Sequence, residues 1–371
     1  MKPCYRVAIR LMILSGIGSL GISFPVNADA PPLPRYTIAD LGISMRTSED
    51  GARALNDAGD VAGTMDNPDG SHVAFLYRRG KIIELGTLGG KNSQASGINA
   101  KRQIVGTTLR ATGGPVPFLW EKGRMRAIAP LTTTFGAASG DITVAGINNQ
   151  GLAAGCAFWL DGVHRPFLWQ NGHAPSLPHG SVGLRFVPRG LSDRGEVVGV
   201  TGGWYKIHAM LWDGVTERDL GTLVSRGTSC ANAINDRGQI VGRASSQGFY
   251  QDHAVLWDQG VLRDLGTAGG SRSEALAINA KGQIVGTAAL SYEETEGLSH
   301  TQWGGDRAIL WQNGQTYNLN DLLPADSGWV LERAVAINDR GQIVAIGYRS
   351  HDLGKSRIGG MRSVLLSPVT F

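Results

Sequence analysis

A nine-residue segment recurs along this chain at intervals of forty-odd residues, and no other feature restricts its possible folds as strongly. The best copy is Ile278-Asn279-Ala280-Lys281-Gly282-Gln283-Ile284-Val285-Gly286. Related segments begin at Leu55, Ile98, Ile147, Leu191, Ile234 and Ile337, which makes seven copies. Their second residues are Asn56, Asn99, Asn148, Ser192, Asn235, Asn279 and Asn338, so the steps are 43, 49, 44, 43, 44 and 59 residues. Such a period belongs to solenoids, propellers and other arrays, and it overrides the two or three domains that 371 residues would otherwise suggest.

One period reads as four short strands. Ser229 to Ile234 forms strand a, and Asn235-Asp236-Arg237-Gly238 has the residues of a type I turn with glycine at its fourth place. Gln239 to Arg243 is strand b, His253 to Trp257 strand c, and Val261 to Leu265 strand d, with a tight turn at Asp258-Gln259-Gly260. Four strands of about five residues separated by turn chemistry make an antiparallel meander, the unit of a propeller blade.

Counting tests whether the array closes. Strand c occurs seven times, at 74–77, 117–120, 166–169, 209–212, 254–257, 308–311 and 363–366. The last copy has no strand d after it. The missing strand stands at the other end of the chain, where Tyr36 to Gly42 carries the Asp-Leu-Gly also found at 219–221 and 264–266. The expected fold is therefore all-β: a seven-bladed β-propeller of four-stranded antiparallel blades, its ring closed by the N-terminal strand (36–42) completing the C-terminal blade. Closure removes the exposed strand edges that an open array would leave. An open right-handed solenoid is the alternative, and it gives no reason for the missing strand to reappear at the N-terminus. Small residues two and four places before each repeat Asn suit strands crowded at an axis. Trp120, Trp169, Trp212, Trp257 and Trp311, in strand c, suit the widening gaps between blades.

Composition bears on destination and partners. Lys2, Arg6 and Arg10 precede an apolar stretch from Leu11 to Phe24, and Val26-Asn27-Ala28 offers small residues at a cleavage site. The expected organisation is a cleaved signal peptide at 1–28, a short linker at 29–35 and one propeller domain at 36–371. Export would be to the periplasm or the medium. Loss of those three basic residues takes the formal charge from +4 to +1, so nucleic acid is not an expected partner. After signal removal no stretch is long and apolar enough for a membrane span. Cys156 and Cys230 occupy unrelated places in the repeat and read as free buried thiols.

In combination, Ile-Asn-x-x-Gly-x-Ile-Val-Gly, [His/Arg]-Ala-x-Leu-Trp and Asp-Leu-Gly-Thr-x-Gly-Gly resemble the HAF repeat, a probable extracellular repeat of bacteria. The resemblance covers nearly all of the mature chain and implies an exported repeat protein, with no catalytic set to carry over. Three copies depart from the pattern: Ser192 replaces the turn Asn, Arg102 the turn Gly and Ala345 the closing Gly.

A meander puts the a–b and c–d turns on one face and the b–c loops and d–a links on the other. The first set is short and constant; the second varies, and variable loops on a rigid scaffold are where binding usually lies. The candidate binding residues are Trp204, Tyr205, Phe249, Tyr250, Tyr292, Glu294, His300 and Trp303, all in b–c loops. Aromatic platforms beside polar groups suit a carbohydrate or protein ligand. No catalytic residue, metal ligand or cofactor is expected. The acidic turn residues supply too few oxygens each for calcium, and Gly-Thr-Leu-Gly-Gly (86–90) and Gly-Thr-Ala-Gly-Gly (266–270) lack the context of a phosphate loop. The expected function is that of an exported, monomeric, non-catalytic binding module. The alternative is a secreted enzyme acting on polysaccharide through Glu293, Glu294, Glu296 and Asp306.

Overall fold

Each nine-residue repeat folds as a tight hairpin in the computed structural model, which describes residues 35–45, 51–112, 114–128, 142–158, 164–172, 186–203, 206–246, 251–290, 305–350 and 360–369. In the best copy Gly282 N donates to Asn279 O at 3.0 Å, and Gly282 takes φ +81°, a conformation open to glycine at little cost. Arg102 holds the same place in the second copy at φ +61°. That costs on the order of 1 kcal/mol, and the ion pair of Arg102 Nε with buried Asp60 at 2.6 Å offsets it.

The hairpins head seven antiparallel sheets, here numbered as blades 1 to 7 in chain order from Gly51. Blade 5 shows the pattern: Ser229–Ile234, Ile240–Ser245, Asp252–Asp258 and Val261–Gly266 are strands a to d, hydrogen-bonded in that order. Six blades have four strands. Blade 3 has three among the described residues, Ile142–Ile147, Ala153–Phe158 and His164–Trp169. The a strands of neighbouring blades contact one another around the circuit, blade 7 against blade 1 included.

The seventh blade confirms the closure expected from the sequence. Its strands a, b and c are Trp329–Ile337, Ile343–Arg349 and Arg362–Pro368, and the outermost strand is Tyr36–Ser44 from the N-terminus. Tyr36 pairs with Pro368 and Asp40 with Val364. Arg362 Nη1 lies 3.0 Å from Asp40 Oδ2 and ties the two chain ends together.

Packing follows the residue sizes. Trp120, Trp169, Trp212, Trp257 and Trp311 are buried, which makes them core rather than a ligand platform. A buried side chain of this size contributes on the order of 3 kcal/mol. Each cluster joins neighbouring blades, as where Leu76 of blade 1 meets Phe118 and Trp120 of blade 2. The closing Gly lets strands a and b approach: a Cβ on Gly286 would stand 2.0 Å from Glu274 O. Ala345 fills that place in blade 7, where strand a carries an additional register shift between Leu331 and Arg333. Among the described residues no helix is long and apolar enough to cross a membrane.

Candidate functional site

The repeat Asn builds a ring of hydrogen bonds that runs from blade to blade. Asn279 Nδ2 donates to Asn338 O of the next blade at 2.9 Å and to Gln283 Oε1 at 2.7 Å. Its Oδ1 accepts from Lys281 N and Gln283 N, each at 3.0 Å. Both amide hydrogens and both lone pairs are thus used, which no other side chain of that size can do. The same amide-to-carbonyl bond runs from Asn56 to Asn99, Asn99 to Asn148, Asn148 to Ser192, Asn235 to Asn279 and Asn338 back to Asn56. The circuit is broken at one junction, blade 4 to blade 5, where Ser192 has no amide to give.

A second ring lies one residue on. Backbone N–H groups of Ala100, Asn149, Asp193, Ala280 and Asp339 donate to the side chains of Asn149, Asp193, Asp236, Asp339 and Asp57 in the following blades. The two remaining junctions lack the bond because Ala100 and Ala280 supply no acceptor. The turn Asp residues therefore stitch blades together. Gln103, Gln239, Gln283 and Gln342 complete this face by tying the a–b turn to the c–d turn region of the same blade.

Inside these rings lies an axial cavity of about 250 Å³. Its rim carries Asp57, Asn149, Asp193, Asp236 and Asp339, its wall is the Asn ring, and Leu55, Ile98, Ile147, Leu191, Ile234, Ile278 and Ile337 form a collar deeper in. Beyond the collar every blade repeats one irregularity. Strand a skips a residue in its pairing with strand b, between positions four and two before the Asn. Such a bulge re-aims the skipped side chain. The skipped residues are Arg53, Ser96, Ala145, Arg189, Asn232, Leu276 and Val335. On strands whose neighbouring position, four before the Asn, is buried in all seven blades, Arg53 and Arg189 are exposed. This places them on the axis.

The axial wall above the collar is charged between blades 4 and 6. Arg189 Nη1 donates to Asn232 Oδ1 at 3.3 Å, and Asn232 Nδ2 donates to Glu274 Oε1 at 3.0 Å. Arg243 lies 3.6 Å from Glu274 and 2.8 Å from Asp252. Burial works against the Arg243 charge, but these two carboxylates outweigh it and hold the guanidinium above its ordinary pKa. Burial raises the Cys230 thiol, and it pushes Cys156 up to about 12. Both cysteines are free and buried, as expected.

The recurring His and Arg at the start of strand c are structural. His208 Nδ1 lies 2.7 Å from Asp219, and His253 Nδ1 lies 2.8 Å from Asp264. Each of these Asp residues, like Asp40, also accepts from the Gly N two residues on. Sequence reasoning missed the companion serine, six residues before the Asn. Ser229 Oγ accepts from Ala209 N and donates to Gly221 O, locking a d–a link; Ser93 and Ser273 do the same. Gly-Thr-Leu-Gly-Gly and Gly-Thr-Ala-Gly-Gly run directly into the strands Gly89–Ile98 and Gly269–Ile278, not into a helix.

Trp204, Tyr205, Phe249, Tyr250, Tyr292, Glu294, His300 and Trp303 all lie outside the described residues. The strand ends that bracket them are described. Gly203 pairs with Lys206, Ser246 N donates to Gln251 O at 2.8 Å, and Leu290 N donates to Gly305 O at 3.1 Å. All three pairs stand at the blade ends opposite the a–b turns. Among the described residues no group of three His, Cys, Asp or Glu is arranged to hold a metal.

Comparison with known proteins supports the fold and corrects one expectation. YCF48 bound to D1 peptide is similar over 92% of this chain and 99% of its own, at 12% identity and a TM-score of 0.53. The β-propeller domain of the Trilobed protease from Pyrococcus furiosus, which has an open velcro topology, is similar over 72% and 81%, at 10% identity and a TM-score of 0.50. TolB from Acinetobacter baumannii is 12% identical with a TM-score of 0.42, and this chain spans 61% of its length. The first two likenesses show the fold alone. No curated relative matches the sequence. A family described as "Protein of unknown function (DUF3466)" matches residues 225–356, and no HAF repeat family is found, so the HAF resemblance does not hold. The motifs behind it are the residues that make this fold: the Asn clasp, the closing Gly and the His–Asp pair.

Proposed function

We propose that the protein is an exported, non-catalytic binding propeller that holds a segment of another protein on the face of its b–c loops and d–a links. One observation carries this reading. The opposite face is spent on closure, since its turn Asn, Asp and Gln side chains hold blade to blade and turn to turn. That leaves the face where connections differ from blade to blade. The similarity of fold to YCF48, solved with a peptide bound, adds support for a protein segment over a carbohydrate. Asp306, one of the acidic residues considered for polysaccharide cleavage, is buried and lies 3.1 Å from Arg272. That ion pair favours binding over catalysis.

The test sets a random octapeptide library beside a glycan array, with wild type and the Tyr205→Ala/Trp303→Ala variant. Peptide binding that weakens at least tenfold in the variant at an unchanged Tm is the expected result. Binding to glycans alone, or turnover of a polysaccharide panel, would remove the reading. Export is checked separately by sequencing the N-terminus of the mature protein, expected at Asp29.

A further inference from the structure

We propose that Arg53 and Arg189 form an axial carboxylate site, reached from the face of the b–c loops and closed below by the aliphatic collar. The inference rests on the proposed peptide-binding reading for the source of the carboxylate, but not for the site itself. The seven bulges are the same in every blade, so the backbone delivers one side chain per blade to the axis. What it delivers is not repeated: two blades carry arginine, and the others small, apolar or amide residues. Closing the ring does not need those arginines, because Ser96 and Ala145 serve at the same place in blades 2 and 3.

The chemistry follows from position. Blades 1 and 4 stand three apart in a ring of seven, so their strands a bring the two arginines to the axis from nearly opposite sides. Guanidinium forks match a carboxylate in two parallel hydrogen bonds, and a channel walled by protein strengthens such contacts over those in open water. Asn232 spends both amide hydrogens on Glu274 Oε1 and Ala275 O and accepts from Arg189 at 3.3 Å, so it orients that guanidinium and leaves the ligand to the arginines. Glu274, 3.0 Å from Asn232, sets the charge limit: it opposes a second negative charge, so the site selects a monoanion over sulfate or phosphate. The carboxylate is that of a bound segment, its free C-terminus or an acidic side chain.

The experiment follows trifluoroacetate by 19F NMR on the full chain, with sulfate as competitor, beside octapeptide libraries ending in carboxylate or amide. Wild type is expected to bind trifluoroacetate, with sulfate at tenfold excess failing to displace it. Arg53→Ser/Arg189→Ala, which installs the residues of blades 2 and 3, is expected to weaken binding at least tenfold. If that variant misfolds, Arg53→Lys/Arg189→Lys keeps the charge but loses the forks, and the same loss is expected. No binding by wild type, equal binding by the variants, or ready displacement by sulfate overturns the site. Peptides that bind wild type and variant equally, whatever their end group, also overturn it and leave the peptide reading standing. Silent libraries with arginine-dependent trifluoroacetate binding remove the peptide reading and keep the site.

Discussion

A single amide decides how each blade meets the next. Asn279 is buried and makes four hydrogen bonds, so Asn279→Ala strands the Asn338 carbonyl and two backbone N–H groups inside the protein. The loss is expected to be about 2–3 kcal/mol in urea unfolding. A loss under half a kcal/mol would mean that water replaces the clasp at no cost. Ser192 is the natural counter-experiment. Its hydroxyl already accepts from Glu196 N at 3.2 Å, the bond that the Asn Oδ1 makes elsewhere, but it donates to Glu196 Oε2 of its own blade rather than to blade 5. Ser192→Asn restores the missing donor opposite Asn235 O and is expected to stabilise the protein by about 1 kcal/mol. Differential scanning calorimetry should show a Tm raised by about 2 °C. An unchanged or lower Tm would show that the blade 4 to blade 5 junction is too wide for the amide to span.

Among the elements, the closing strand Tyr36–Ser44 is the one whose loss opens the ring, and its first residue senses alkali. Burial raises the Tyr36 phenol from 10.0 to about 12. A folded pKa above the unfolded one gives stability that is complete below pH 10 and disappears as pH rises through 12. Two units correspond to roughly 3 kcal/mol. Cys156, raised from 9.0 to about 12 by burial, acts in the same direction from pH 9 upward. Chemical denaturation of Tyr36→Phe should therefore show a shallower fall between pH 10 and 12 than wild type, with the cysteine contribution remaining. A fall as steep as that of wild type would place the alkaline weakness away from the closing strand. That this strand comes from the N-terminus was legible in the sequence, because Asp40-Leu41-Gly42 repeats a motif whose other copies follow strand c. The partner of its Asp was not read, although His208, His253 and Arg362 occupied one place in the repeat. A recurring charge shows that something is held and does not name what holds it.

At the scale of the whole molecule, the number of blades and the direction of the strands followed from counting turns and small residues, since both are fixed by local chemistry. The axial ring did not. Position three before the Asn varies from copy to copy, so it carries no pattern, and the bulge that aims Arg53 and Arg189 inward is a property of paired strands, not of either sequence alone. The variable loops were found from their lengths, but the contacts of Trp303 or Tyr205 depend on loop geometry that no repeat specifies. The division of labour between the two faces is open to a direct comparison. Two glycines inserted between Asp236 and Arg237 displace the turn that receives the Asp193 N–H at 2.7 Å, and with it the clasp from Asn235 to Asn279. The cost is expected to be about 3 kcal/mol or more. The same two glycines between His300 and Thr301 lengthen a connection that already accounts for the 59-residue step. Lengthening an existing loop costs well under 1 kcal/mol, so that variant should unfold within about 2 °C of wild type. Equal losses from the two insertions would mean that the b–c face does as much to close the ring as the turn face does, and the binding surface would have to be sought elsewhere.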